Sequence, residues 1–297
     1  MPRTLLAVHA HPDDESSKGA ATLARYADEG VRTVVVTCTG GEAGDILNPA
    51  MDQPGNLDRM PQLRREELAK ALEILNVSQH HFLGYRDSGM PDTETNKHPE
   101  AFANAELDDA VERLVRIIRA ERPQVLLTYD ERGGYPHPDH IRTHEISVVA
   151  FDAAGDPERF PDAGEPFQPL KLYYFASFSR RRVEALHHGA IDRGIESPYA
   201  KWLERWDEEA DAEGERFPEP VITTQVDVAK WIPQARDALI AHATQIDPNG
   251  PWFSMPDELV AELYPWDDYT LVRSLVPTTQ PEWDLFAGVD QDGSPLD

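Results

Sequence analysis

The chain has 297 residues, 40% of them hydrophobic, which is ample for one large α/β domain or a domain with a smaller attachment. Its 54 acidic and 28 basic residues give a formal charge of −26, which opposes nucleic-acid and anionic-membrane partners because phosphates would be repelled. A single cysteine, Cys38, excludes an intramolecular disulfide, and no apolar run approaches the roughly 20 residues that a membrane span needs.

The N-terminus lacks a long apolar stretch followed by a small-residue cleavage site, so no signal peptide is expected and a cytoplasmic protein is. Thr4–His9 reads TLLAVH, an apolar run suited to a buried parallel strand. The polar turn Ala10-His11-Pro12-Asp13-Asp14-Glu15 follows it. Residues 16–29 place Ala20, Leu23, Ala24 and Ala27 at helical spacing, with Gly30 as a stop. Residues 31–38 are β-branched and apolar, a second buried strand holding Cys38, and the βαβ unit so formed takes a right-handed crossover.

Residues 39–60 are rich in Gly, Pro, Asn and Asp and lack periodicity, which predicts a long loop. Pro61 opens a helix carrying Leu63, Leu68, Ala71, Leu72 and Leu75. Residues 80–83 form a short third strand and 84–104 another loop. Residues 107–119 form a helix with Val111, Leu114, Val115 and Ile118 inward, and QVLLTY at 124–129 a fourth strand. A polar loop at 130–138 and a helix at 141–154 close this half. Beyond residue 156 the rhythm changes. Strands are expected at 170–176 and 221–228, a helix at 230–245 and an exposed acidic excursion at 204–219. The last thirty or so residues, grouped with Trp252, Trp266 and Trp283 among several prolines, are expected to be irregular chain packed on the main domain.

This alternation predicts an α/β fold: a Rossmann-like open, mostly parallel sheet with helices on both faces, plus a smaller C-terminal α+β portion. Residues 1–155 would form the core carrying the site, and 156–297 would complete the substrate pocket, as one compact body. In such sheets ligands sit beyond the C-terminal strand ends. The four loops carrying HPDDE, TGGEAGD, YRDSGM and DERGGYPHPDH all follow strands and would open on that edge.

Adjacent Asp13 and Asp14 repel, and a proton or a cation must relieve them. His11 and Asp14 are three apart, as are His137 and His140, so the two pairs can supply two or three ligands to one divalent metal and leave a place for water. Zinc would acidify that water. Asp13 can then take its proton, His137 can donate to the oxyanion or to the leaving amine, and Asp139 can orient an imidazole. Taken alone, HPDDE reads equally well as a helix N-cap and HPDH as a surface turn; their shared place after parallel strands favours one site. The Gly-rich loop after strand two lacks the order of a dinucleotide motif, and neither a phosphate-loop nor a G-x-S-x-G motif occurs.

AHPDDE after strand one with GGYPHPDH after strand four resembles the PIG-L/LmbE-like zinc deacetylases, which act on glucosamine-type amines. The segments TGGEAGDILNPAMD, FPDAGEP, KLYY and AHATQIDPN extend the likeness to that family's mycothiol S-conjugate amidase branch. The resemblance implies a zinc enzyme, with ferrous iron equally suited to the same donors. It implies His11, Asp14 and His140 as metal ligands and Asp13 as general base. His137 is implied to stabilise the oxyanion and act as acid, with Asp139 tuning it, and Tyr135 to polarise the substrate carbonyl. Arg64, Asp87 and Gln245 are implied to contact the substrate, Arg64 and Asp87 through sugar hydroxyls, and Lys18 to meet a larger thiol-bearing acyl group. The implied reaction is hydrolysis of a small molecule, a mycothiol S-conjugate, to a mercapturic acid and glucosaminyl-inositol, in detoxification or in processing of a thiol-tagged metabolite. Its alternatives are the N-acetylglucosaminyl-inositol deacetylase of the same pathway and a metal- or sugar-binding protein without turnover.

Overall fold

A computed structural model describes residues 2–213, 219–250 and 253–296. Seven strands form one sheet in the order β3-β2-β1-β4-β5-β7-β6. They are β1 (Thr4–His9), β2 (Arg32–Thr39), β3 (Gln79–Tyr85), β4 (Val125–Thr128), β5 (Lys171–Phe175), β6 (Thr224–Asp227) and β7 (Trp266–Ser274). The first five in spatial order pair in parallel, while β7 runs antiparallel to both β5 and β6. The chain winds outward from β1 to β3 and then returns to place β4 on the other side of β1. This reversal opens a crevice beyond the C-terminal ends of β1 and β4, the place where such folds bind ligands. HPDDE leaves β1 there, and GGYPHPDH leaves β4.

The helices are α1 (Asp14–Ser17), α2 (Ala20–Asp28), α3 (Met60–Ile74), α4 (Leu107–Glu121), α5 (Pro138–Ala153), α6 (Arg180–Ile191), α7 (Ala200–Glu213), α8 (Ile232–Ala241) and α9 (Asp257–Leu263). Side chains on a strand alternate between faces, so β1 sends Leu5 and Ala7 to one core and Leu6 and Val8 to the other. The first core is closed by α2, α3 and α8 through Leu23, Leu68, Leu72 and Ala238. The second is closed by α4 and α5 through Val111, Leu114, Ile146 and Phe151. Cys38 lies wholly buried in the second core.

Several expectations change. The single helix predicted from residue 16 is two, because Gly19 takes a left-handed φ of 77° and breaks it. The helix after the HPDH motif begins at Pro138, three residues earlier than expected, so His137 becomes its N-cap and His140 lies in its first turn. Residues 204–213 of the expected acidic excursion lie in helix α7; residues 214–218, like Trp252, lie outside the described residues. The C-terminal stretch expected to be irregular supplies the nine-residue β7, which fills the space between β5 and β6. Downstream of β7, irregular chain does pack on the core. Leu285 and Phe286 are buried there, and the Tyr26 hydroxyl donates to Asp284 at 2.7 Å. The C-terminal strands thus extend the sheet begun by the first half. Among the described residues no helix is long and apolar enough to cross a membrane.

Candidate metal and hydrolytic site

The turn after β1 is pinned at both ends. His11 N–H donates to Asp14 Oδ2 at 2.9 Å, and the Ser16 and Ser17 amides donate to the Asp13 carbonyl. Asp13 itself sits at φ 102°, a left-handed conformation that costs a non-glycine residue on the order of 1–3 kcal/mol. The outcome is that consecutive carboxylates diverge: Asp14 points down into the protein and Asp13 sideways toward α3.

Asp14 Oδ2 is the focus of the site. His140 Nε2 lies 3.2 Å from it and His11 Nδ1 3.4 Å from it. Each imidazole has its other nitrogen committed. His140 Nδ1 faces the Gly133 carbonyl at 2.9 Å, which can only accept, so the proton sits on Nδ1. His11 Nε2 faces Asp139 Oδ2 at 3.1 Å. Two ring lone pairs and a carboxylate therefore converge on one point, and the buried His140 Nε2 has no hydrogen-bond partner. Three acceptors meeting out of water repel unless a cation stands between them. This donor set fits a divalent metal held by His11, Asp14 and His140, whose ligand atoms all lie within 4.8 Å of one another. Without a cation, a proton on His11 is the alternative relief: burial opposes it, but Asp139 and Asp14 raise the His11 pKa well above its usual value. His140 is lowered by burial despite Asp14, which suits a neutral ligand. Asp14 is kept ionised against burial by His140 and by Lys18.

The remaining expected residues fall as follows. Asp13 is raised by burial, with Arg64 pulling it down and Asp14 pushing it up; Arg64 Nη2 lies 3.1 Å from its Oδ2. His137 accepts the Asp139 amide on Nδ1 at 3.2 Å, so its proton is on Nε2. Burial and the neighbouring His11 lower its pKa to about 4, leaving it neutral near pH 7. Tyr135 is 44% exposed and packs its ring edge-on against His140, with centroids 4.6 Å apart. Burial pushes its phenol upward, so the hydroxyl keeps its proton.

Five residues meet neighbours other than those implied by the resemblance. Asp139 gives its carboxylate to His11 and to the Ser88 amide and hydroxyl, and only its backbone to His137. Lys18 is 6% exposed and donates to Asp14 Oδ1 at 2.7 Å instead of standing open to an acyl group. Arg64 is buried against the Pro12 carbonyl and Asp13. Gly41 makes room for it, since a Cβ there would stand 2.8 Å from the guanidinium carbon. Asp87 accepts from the Ala43 and Gly89 amides at 3.0 and 2.8 Å, joining the loops after β2 and β3. Gln245 donates to the Asp45 carbonyl at 2.9 Å. A second group, His11, Asp87, His137 and Asp139, is also tight enough for an ion. There the His11 proton and backbone amides already satisfy the two carboxylates, and the group reads as a proton-sharing network.

Sequence reasoning gave no role to Glu15, Glu67, Ser88, Tyr129 or His242. Tyr129 stacks on His140 at 4.5 Å and 13°, and its hydroxyl accepts the Ala10 amide. Glu15 lay inside the motif and His242 inside HATQ, so the motifs flagged both without showing that they meet.

A doubly wound sheet with a spare carboxylate beside a His-Asp-His cluster able to hold a metal at its switch point is the architecture of a hydrolase, and the chain belongs to the PIG-L family. The model of that family, GlcNAc-PI de-N-acetylase, matches residues 6–151. The chain is 53% identical over 290 residues to the mycothiol S-conjugate amidase of Streptomyces coelicolor, covering 96% of this chain and 97% of that one. It is 41% identical over 293 residues to the 1D-myo-inositol 2-acetamido-2-deoxy-alpha-D-glucopyranoside deacetylase of Streptomyces avermitilis, covering 97% of each. Among solved structures, the N,N'-diacetylchitobiose deacetylase of Pyrococcus horikoshii shares the fold with a TM-score of 0.61 at 16% identity, covering 92% of this chain and 84% of that one.

Proposed function

We propose that this protein is a metal-dependent amidase. It cleaves the amide of mycothiol S-conjugates to release an N-acetylcysteine S-conjugate and glucosaminyl-inositol. The convergence of unprotonated His11, Asp14 and His140 atoms beside Asp13 supports the chemistry. The substrate rests on the full-length likeness, 53% to an amidase against 41% to a deacetylase.

Zinc or ferrous iron held by His11, Asp14 and His140 would supply Lewis acidity toward water and the substrate carbonyl. Asp13 takes the proton of the attacking water, its carboxylate aimed by Arg64. Neutral His137 and the Tyr135 hydroxyl donate hydrogen bonds to the oxyanion. Because His137 titrates near 4, we assign return of the proton to the leaving amine to Asp13, whose burial favours holding it in transit. Asp139 fixes the His11 tautomer, and Lys18 holds the second oxygen of Asp14. Asp87 and Gln245 shape the loops against which the sugar would lie.

The test is hydrolysis of a bimane S-conjugate and of N-acetylglucosaminyl-inositol by the same preparation, before and after chelation. We expect the conjugate to be preferred, turnover to vanish with the metal, and Asp13→Asn to lower kcat by about 100-fold or more. A clear preference for the N-acetyl substrate would move the protein to the deacetylase reading that its 41% identical relatives support. Full turnover by metal-free protein would end both.

A further inference from the structure

Asp13 is held in a backbone conformation that its own side chain disfavours, so something must hold it there. Its N–H donates to Glu15 Oε2 at 2.9 Å. The other oxygen of Glu15 accepts from the Ser16 hydroxyl and from His242 Nε2, the latter at 2.7 Å. Glu15 and His242 are both fully buried, although 227 positions separate them. Three donors, the Asp13 amide, the Ser16 hydroxyl and His242 Nε2, surround the two Glu15 oxygens, an arrangement that suits a carboxylate, which only accepts.

His242 is itself anchored. It caps the C-terminal end of α8, and the three residues after it are fastened to the surrounding site. Thr244 donates through both its amide and its hydroxyl to Glu67, each at 2.7 Å. The Thr244 carbonyl accepts the Leu47 amide at 2.9 Å. The Ala243 carbonyl accepts from Asn48 at 2.9 Å. Glu67 lies one turn along α3 from Arg64, which grips the Pro12 carbonyl and the Asp13 carboxylate. The two outside holds on the Asp13 turn, Arg64 and His242, are thus tied to each other through Glu67 and Thr244.

We infer that His242 and Glu15 form a buried relay that sets the Asp13 carboxylate, making His242 a positioning residue for the hydrolysis proposed above. The inference rests on Asp13 being the base. Loss of the His242 N–H leaves Glu15 a buried carboxylate short of one donor. Glu15 then turns to find another, releases the Asp13 amide, and lets the strained peptide relax. A shift of about 1 Å in a reacting group is enough to cost roughly 100-fold in rate. The three metal ligands do not pass through this relay.

The test is a double-mutant cycle in the full-length, metal-loaded protein. His242→Leu is expected to lower kcat on the bimane conjugate by roughly 30- to 100-fold. KM should change less than about threefold and one metal equivalent per chain should remain. His242→Gln, whose amide nitrogen reaches the place of Nε2, should recover most of the rate. In an Asp13→Asn background, His242→Leu should lower the residual rate by less than about threefold. If His242→Leu does not fold, Glu15→Gln in the two backgrounds makes the same comparison. Equal losses in both backgrounds, loss of the metal, or no recovery with Gln would overturn the relay while leaving Asp13 as base. Asp13→Asn working at the wild-type rate would instead bring down the base, and the relay with it.

Discussion

Glycine 133 illustrates how a single residue governs the proposed metal trio. Its carbonyl fixes the His140 tautomer, and its φ of 73° lies in the left-handed region. A Cβ added there would stand 2.5 Å from the His140 Cβ. Gly133→Ala must therefore push α5 or twist the loop. It is expected to weaken metal binding by about 10- to 100-fold, the usual scale when a ligand's support is lost, read by titration with a competing chelator. His9 gives a different prediction. It is fully buried, stacks on Phe175, and is lowered by burial from 6.5 to about 4. Between those values the unfolded chain binds a proton that the folded chain refuses. Stability is therefore lost as pH falls from 6.5 toward 4, by up to about 3 kcal/mol. His9→Phe removes this dependence. The stability of the wild type relative to that variant, from urea unfolding, should fall over this window and stay flat above pH 7.

At the scale of elements, the link between α5 and β5 is organised by one side chain of α4. Arg119, 4% exposed, donates to the carbonyls of Ala153, Ala154, Asp156, Arg159, Phe160 and Gly164. The FPDAGEP segment noticed in the sequence runs through this connection, so the motif marks a fold feature remote from the chemistry. Arg119→Met would leave several buried carbonyls without donors. It should lower stability by about 3 kcal/mol, a fall of roughly 5 °C in Tm, with kcat at 20 °C little changed. Calorimetry beside a low-temperature assay separates the two effects. The same scale explains what the sequence made legible. Strands β1, β2 and β4 are largely apolar runs, and HPDDE and GGYPHPDH lie in the loops after β1 and β4, so the central sheet, its switch point and the residues that gather there could be read locally. Strand β7 carries Asp267, Asp268 and Arg273 among its nine residues and has no such run. Asp268 is buried because Tyr264 and Gln225 donate to it, partners that no local pattern displays. Pairings such as Glu15 with His242 and Glu67 with Thr244 were hidden for the same reason. Lys18 and Arg64 were noticed as cations near the site, but periodicity does not say that each already has an acidic neighbour inside the chain.

For the molecule as a whole, charge is the dominant feature. An excess of acidic residues, −26 in all, is spread over a fold whose exposed ion pairs, such as Lys97–Glu94, Arg159–Asp108 and Lys230–Asp28, are individually weak. Mutual repulsion in the compact state then outweighs what salt takes from those pairs. Raising NaCl from 20 to 500 mM should raise the Tm by a few degrees, measured on the metal-free protein to exclude linkage to the ion.

The link from the Asp13 turn to the segment after α8 also bears on synthesis. His11, Asp14 and His140 have all been added to the chain about a hundred residues before His242 is made. The nascent chain can thus acquire every donor to the ion while Glu15 still lacks its distant partner. On the function proposed, capture of the cation and onset of turnover would be separate events in the birth of the molecule. The second is deferred until the closing portion of the polypeptide has been added.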